Sequence, residues 1–191
     1  MIDKPIAEII AGCRRNREAD IQAFYERFYG YALSVCLAHA SNPDDAREML
    51  NDGFMKAFRG LKNLNNEAVL LPWLRRIMVN TAIDYYRKNR KRAADVSTES
   101  VAHTLAEPYL NDDGILAELA AEDILRALHQ LPLPYRFVFS LYVLEGYSHR
   151  EIAGRLGLAE STSRAHLSEA NRLLRHALTN QTTDSHEPTN R

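Results

Sequence analysis

Apolar residues recur at three- and four-residue steps along most of the chain, the period of a helix buried on one face. Ile21, Phe24, Tyr25, Phe28, Ala32 and Val35 form the first such stripe. Ser41-Asn42-Pro43-Asp44-Asp45 predicts a turn and a new helix start. Asn42 suits the cap, Pro43 the first helical position, and the two acids the positive end of the helix dipole. The helix that follows, about Asp44 to Leu61, places Met49, Leu50, Gly53, Phe54, Ala57, Phe58 and Leu61 on one stripe. Glu48, Asn51, Asp52, Met55 and Arg59 fall on the opposite face. A polar loop, Lys62 to Glu67, leads to a helix over about Pro72 to Lys91. Leu74, Ile77, Met78, Thr81 and Tyr85 share one side of it, and Arg76, Asn80, Ile83, Arg87 and Lys91 another.

Periodicity lapses from Ala93 to about Gly114, where Ser, Thr, Glu, Asp, Pro and Gly mix, which predicts a flexible linker. It resumes with Leu116, Leu119, Ala120, Asp123, Ile124, Ala127 and Leu128. Leu131-Pro132-Leu133-Pro134 breaks that helix, and Phe137, Val138, Leu141 and Leu144 mark another, stopped at Gly146. Ser148 and Glu151 have capping-box spacing. A short helix with Ile152, Ala153 and Leu156 ends at Gly157, and a last helix runs from about Ser161 to Leu178. The fold class expected is all-α with two small helical domains, residues 1–92 and 115–178, joined by linker 93–114 and followed by a disordered polar tail, 179–191.

Composition agrees with helix: the 191 residues are 46% hydrophobic and poor in Gly and Pro. No apolar run approaches the roughly 18–20 residues that cross a bilayer. Met1 to Ile10 carries Asp3, Lys4 and Glu8 and lacks the apolar core of a signal peptide. These features predict a cytoplasmic protein without membrane insertion. Cys13 and Cys36 match no metal or redox spacing; Cys36 reads as a small core residue and Cys13 as incidental. The histidines form no zinc motif, so neither metal nor cofactor is expected.

The net charge of −1 conceals a strong asymmetry. Arg75, Arg76, Arg87, Lys88, Arg90, Lys91 and Arg92 face one acid, Asp84, between Pro72 and Arg92. Ala93 to Glu122 holds Asp95, Glu99, Glu107, Asp112, Asp113, Glu118 and Glu122 without any Lys or Arg. A basic binding surface followed by an acidic connector fits this split. Farther on, Ser148 to Leu174 has helix-turn-helix spacing: Ala153 allows close approach, Gly157 the left-handed turn, and Leu156, Leu158 and Leu167 the packing. The second helix would present Ser161, Thr162, Arg164, His166, Ser168 and Arg172, groups able to read base edges or hold phosphates. Trp73 and Tyr85 read as core, and Tyr86 is open between core packing and stacking on bases.

Asp45–Phe58 (DAREMLNDGFMKAF) and Trp73–Arg92 (WLRRIMVNTAIDYYRKNRKR) resemble the signature helices of sigma region 2. Leu131–Arg175 resembles sigma region 4. The order of the motifs, the size and the short linker resemble the extracytoplasmic-function (ECF) group of the sigma-70 family. The resemblance implies a sigma factor that binds core RNA polymerase and directs promoter-specific initiation, with no catalytic residues of its own. It implies that Glu48, Asn51, Asp52 and Met55 dock on the clamp helices of the largest subunit, with a second contact on the flap. Loop Lys62–Leu70 with Arg76, Asn80, Asp84 and Arg87 would capture and melt the −10 element, and Lys88, Arg90 and Lys91 would add phosphate contacts. Ser161, Thr162, Arg164, His166, Ser168 and Arg172 would read the −35 element. An anti-sigma factor is the further partner implied, the free chain being a monomer.

The chain departs from the family pattern in places. Ser161-Thr162-Ser163 stands where Gly-Thr-Val is common, and His166, Glu169 and Asn171 replace common basic residues. Ala159 stands in place of the usual cap Ser, so Ser161 is expected to cap instead. Gly53 replaces a larger residue, which predicts a local packing gap. Three rival readings fit less well. A conventional regulator would show the strand–helix alternation of a receiver, a decoy need not keep the basic helix, and an enzyme would carry a nucleophile elbow or phosphate loop.

Overall fold

The computed structural model describes residues 4–95 and 126–184, with side chains described over 4–90 and 126–176. The expected linker lies outside the described residues, except that helix continues to Asp95. The chain divides into two compact units, Met1–Val96 and Ser97–Arg191. Every regular element among the described residues is helical.

The first unit contains α1 (Ile6–Arg14), α2 (Glu18–Leu37), α3 (Pro43–Gly60) and α4 (Leu70–Asp95), with short 3₁₀ turns at Leu61–Asn63 and Glu67–Val69. The α3 start follows its sequence signals. The Asn42 side chain accepts from the Asp45 amide at 2.8 Å, and Pro43 occupies the first turn. One stripe of α3 is buried through Met49, Leu50, Gly53, Phe54 and Ala57. An aromatic cluster forms the centre: Phe24 lies 4.7 Å from Phe28, 5.6 Å from Phe58 and 6.4 Å from Phe54 between ring centroids. Burying each such ring contributes on the order of 1.5–3 kcal/mol.

Three expectations from the sequence are corrected by the fold, and one open position is decided. No gap surrounds Gly53: the Met78 sulfur sits where a Cβ on Gly53 would be, and Met78 is fully buried. Ile83 belongs to the core at 4% exposure, not to the outer face with Arg76, because α4 packs against both α2 and α3 and so buries a wider arc. Cys13 is buried and its thiol donates to the Asp20 carbonyl at 3.2 Å, so it is part of the α1–α2 packing. Tyr86, undecided from sequence, is buried at 5% exposure, which removes it as a stacking platform.

Helix α1 escaped the periodicity reading, although Ile9, Ile10 and Cys13 bury one face of it against α2. Its few apolar positions are interrupted by the small residues Ala11 and Gly12. The Asp20 side chain occupies the space beside Gly12 and is paired with Lys4, which offsets the cost of burying the carboxylate.

In the second unit, residues 126–130 are helical, followed by α5 (Leu133–Phe139), a π-turn at Ser140–Leu144, α6 (His149–Leu156) and α7 (Glu160–Asp184). Leu128, Leu131 and Ala170 form a buried cluster against which Tyr135, Phe139, Leu173 and Leu174 pack. The π-turn rotates the apolar stripe, so Leu144 is 40% exposed beside Val143 rather than inside. Helix α7 runs to Asp184, beyond the end expected at Leu178; residues 185–191 lie outside the described residues.

Candidate nucleic-acid interface

In the first unit, α3 shows one face to solvent. Glu48, Asn51, Asp52 and Met55 are all exposed, Met55 at 54%. A bare methionine beside two acids and an amide is unusual for a solvated face and suits a protein partner. Asp45, at the start of the same helix, accepts from the Tyr85 hydroxyl at 2.5 Å, which locks α3 to α4. Tyr85 is thus half-buried with its ring in the core and its oxygen engaged, and its phenol is pushed up to about 12, chiefly by burial and then by that bond.

Helix α4 carries the basic group. Arg76, Arg87, Lys88 and Arg90 are exposed and Asn80 is half-buried; the side chain of Lys91 lies outside the described residues. Asp84 pairs with Lys56 of α3 at 2.9 Å, so the one acid of this surface is partly neutralised. The phenol of Tyr86 beneath them bonds to the Arg90 side chain. Three exposed cations within one turn of a helix form a concentrated positive field that a polyanion neutralises by releasing counterions. Beside the start of α4, Arg14, Lys62, Leu64, Asn65 and Glu67 line an open cleft of about 460 Å3.

The helix-turn-helix of the second unit forms as its spacing predicts. Ser148 and Glu151 make the reciprocal capping box, the Ser148 amide donating to the Glu151 carboxylate at 2.9 Å. These bonds hold the Glu151 carboxyl below its ordinary value. Gly157 takes the left-handed conformation, φ 66°, in the turn before α7. Ser161 is not the cap. The Ser163 amide donates to the Ala159 carbonyl, so Ala159 holds the cap position and Ser161 is the second residue of the helix.

Along α7, Ser161, Arg164, Ser168 and Arg172 are exposed and Thr162 is half-buried. Arg164 pairs with Glu160, and Arg172 with Glu169 through two bonds, the longer at 2.9 Å. Exposed pairs of this kind contribute little to stability. His166 is a correction. Its ring meets Tyr135 edge-on at 5.1 Å, its Nδ1 is buried without a hydrogen-bond partner, and burial lowers its pKa. It packs against Tyr135 of α5.

Sequence reasoning missed the pair that fixes the first turn of α7. Ser163 is fully buried, and its hydroxyl lies 3.0 Å from Nδ1 of His149, whose ring stacks on Tyr142 at 4.6 Å. It also missed Arg136, fully buried, whose guanidinium donates to the carbonyls of His129 and Leu131 at 3.0 Å each. A buried Arg inside an apolar run leaves no periodic signal, because its register is that of a core residue.

Two family models match the chain: Sigma-70 region 2 over residues 24–92 and Sigma-70 region 4 over residues 121–174. The chain is 30% identical over 183 residues to "Probable RNA polymerase sigma factor RfaY" of Xanthomonas campestris, covering 93% of this chain and 44% of that protein. It is 29% identical to RNA polymerase sigma factor SigV of Bacillus subtilis, covering 81% of this chain and 86% of that one. With the ECF RNA polymerase sigma-E factor of Haemophilus influenzae it shares 24% identity, covering 86% and 92%. The chain therefore spans under half of RfaY but nearly the whole of the other two. Two helical units carrying regions 2 and 4 in order, with an exposed basic helix in the first and a helix-turn-helix in the second, make this chain a member of the sigma-70 family, in its ECF group of sigma factors, which direct promoter-specific transcription initiation by RNA polymerase.

Proposed function

We propose a division of labour between the exposed faces of this sigma factor. The face of α3 formed by Glu48, Asn51, Asp52 and Met55 docks on the clamp helices of the largest subunit of core polymerase, and the second unit contacts the flap. The α4 surface of Arg76, Asn80, Asp84, Arg87, Lys88, Arg90 and Lys91, with the Lys62–Leu70 loop, captures and opens the −10 element. On α7, Ser161, Thr162, Arg164, Ser168 and Arg172 meet the −35 element; His166 is left out because it packs on Tyr135. The chain supplies binding energy and position rather than catalysis. It works in the cytoplasm, as a monomer when free, and an anti-sigma factor holds it inactive by covering the faces that meet polymerase. Lys62–Leu70, residues 1–92 as one functional module, and residues 115–178 as the other are part of the same reading.

The observation that carries this reading is that two helices of the first unit each expose a polar face, bridged by the Lys56–Asp84 pair. Glu48, Asn51, Asp52 and Met55 lie on α3, and Arg87, Lys88 and Arg90 lie on α4. One protein can therefore hold polymerase and DNA at once. Opening needs an unstacked base held outside the duplex, at a cost of a few kcal/mol that a protein pocket and phosphate contacts must offset. The test is a pair of measurements on each variant: affinity for core polymerase and extent of open-complex formation. Alanine at Glu48, Asn51, Asp52 and Met55 together should reduce core affinity. Alanine at Arg87, Lys88 and Arg90 should leave core affinity intact and reduce opening. Equal losses in both assays for both variants would overturn the division.

A further inference from the structure

The Lys62–Leu70 loop carries exposed Lys62, Asn63, Asn65, Asn66 and Glu67 between the buried anchors Leu61, Leu64 and Leu70. Its backbone is mostly short 3₁₀ turns, which by themselves hold shape poorly. The Asn66 side chain closes one of them by accepting from the Ala68 amide at 2.9 Å. The other end is tied from outside. Arg14, the last residue of α1, donates from Nε to the Leu61 carbonyl at 3.1 Å and from Nη2 to the Leu64 carbonyl. Those carbonyls bracket the first 3₁₀ turn, so one planar guanidinium sets the spacing across it. Arg14 also lines the cleft of about 460 Å3 whose other walls are Lys62, Leu64, Asn65 and Glu67. The cleft is open to solvent and its lining is mostly polar, and side-chain amides and carboxylates are groups that pair with exposed base edges.

We propose that Arg14 is a positioning residue for base capture: by clamping the Leu61 and Leu64 carbonyls it holds the Arg14–Lys62–Leu64–Asn65–Glu67 cleft in the shape that selects one unstacked base of the −10 strand. The proposal rests on the reading that this loop meets the −10 element. Its physical content is preorganisation. A loop already fixed loses little conformational freedom when a base enters, whereas an untied loop must be ordered at that moment. Arg14 thus acts on sequence discrimination through the loop, and not as a phosphate contact. A Lys in its place keeps the charge but has a single nitrogen, which cannot reproduce a planar two-point clamp.

The test uses full-length protein assembled with core polymerase and a panel of single-stranded −10 oligonucleotides carrying each base at each position, titrated at several salt concentrations. Wild type, Arg14→Ala, Arg14→Lys, Arg14→Gln, Asn65→Ala and Glu67→Gln are compared. The expected result is a loss of about tenfold in affinity of Arg14→Ala for the best sequence, with less loss for sequences mismatched at one position. Discrimination at that position collapses, while the salt slope and core affinity stay as in wild type. Arg14→Lys follows the Ala variant in discrimination. Arg14→Gln, which keeps one donor, supplies the same comparison should the Ala variant melt below the assay temperature. Wild-type discrimination in Arg14→Ala or Arg14→Gln, full recovery by Arg14→Lys, or a salt slope lowered by about 0.7 (a lost phosphate contact) would each overturn the proposal. Asn65→Ala and Glu67→Gln separate it from the reading beneath it. Unchanged binding in both would remove the loop itself from the −10 contact. A loss in either beside an unaffected Arg14→Ala would reject the role of Arg14 alone.

Discussion

Met78 of α4 fills the space that a side chain on Gly53 of α3 would need, and neither residue leaves room for the other to grow. This close approach brings two helices together at the point where one exposes the Glu48–Met55 face and the other leads to the basic group. A Gly-to-Ala change gains about 1 kcal/mol in helix propensity, but overpacking a sealed core costs roughly 1–3 kcal/mol. Gly53→Ala should therefore destabilise the first unit by about 1 kcal/mol in denaturant unfolding. Met78→Ala alone should cost about 2–5 kcal/mol. The double variant should lose less than the sum of the two, because the new methyl enters the space that Met78 vacates. Strict additivity would show that the two side chains do not share that space.

Arg136 should be among the least replaceable residues of the second unit. Its guanidinium satisfies the carbonyls that end helical residues 126–130 and start the turn into α5. Hydrogen bonds from a charged donor are worth about 1.5–3 kcal/mol each, although burial of the charge offsets part of this and lowers the Arg136 pKa to about 10. Arg136→Ala should cost about 3 kcal/mol or more, a large fraction of the stability of a small helical unit. Hydrogen exchange would show it as protection lost across α5 to α7 while α1 to α4 keep theirs.

How far the fold could be read from sequence depended on what each residue does. Asn42, Pro43, Ser148, Glu151 and Gly157 act on backbone within four residues of themselves, so local sequence was enough to reveal their roles. The exposed groups of α3 and α4 were legible because a period of 3.6 residues separates them from the core stripe. Gly53, Arg136, Ser163 and His149 were not, since each is defined by a partner on another helix. His166 failed for the same reason: its helical position permits an outward reading, and only Tyr135 across the interface decides against it. Arg14 lies 47 and 50 residues from the carbonyls it holds, a separation beyond any local pattern.

The cysteines give a pH-dependent prediction. Burial pushes the Cys36 thiol from 9.0 up to about 12, and burial with the neighbouring Asp20 charge pushes Cys13 up to about 11. Both thiols stay protonated and inert in the native protein at pH 8 and should react with a thiol reagent only on unfolding. The linkage has a definite sign. A folded-state pKa above the unfolded value gives stability that is full below pH 9 and declines as pH rises through about 11 to 12. Replacing Cys36 with Ala should flatten that alkaline decline, as measured by urea unfolding at pH 8 and pH 10.

The basic end of α4 is testable by salt. Each phosphate contact on single-stranded DNA contributes about 0.7 to the slope of log affinity against log salt. Arg87→Ala, Lys88→Ala and Arg90→Ala combined should lower the slope for −10 strand binding by about 2 if all three meet phosphates. An unchanged slope would remove them from the DNA surface.

Reconstituted run-off transcription bears most directly on the account as a whole. Core polymerase, the full chain and a template carrying candidate −35 and −10 elements should yield a transcript of defined length. That transcript should depend on the chain and disappear when alanine replaces Arg87, Lys88 and Arg90 together. Tight binding of the chain to core polymerase with no initiation from any promoter selected out of a random library would contradict it.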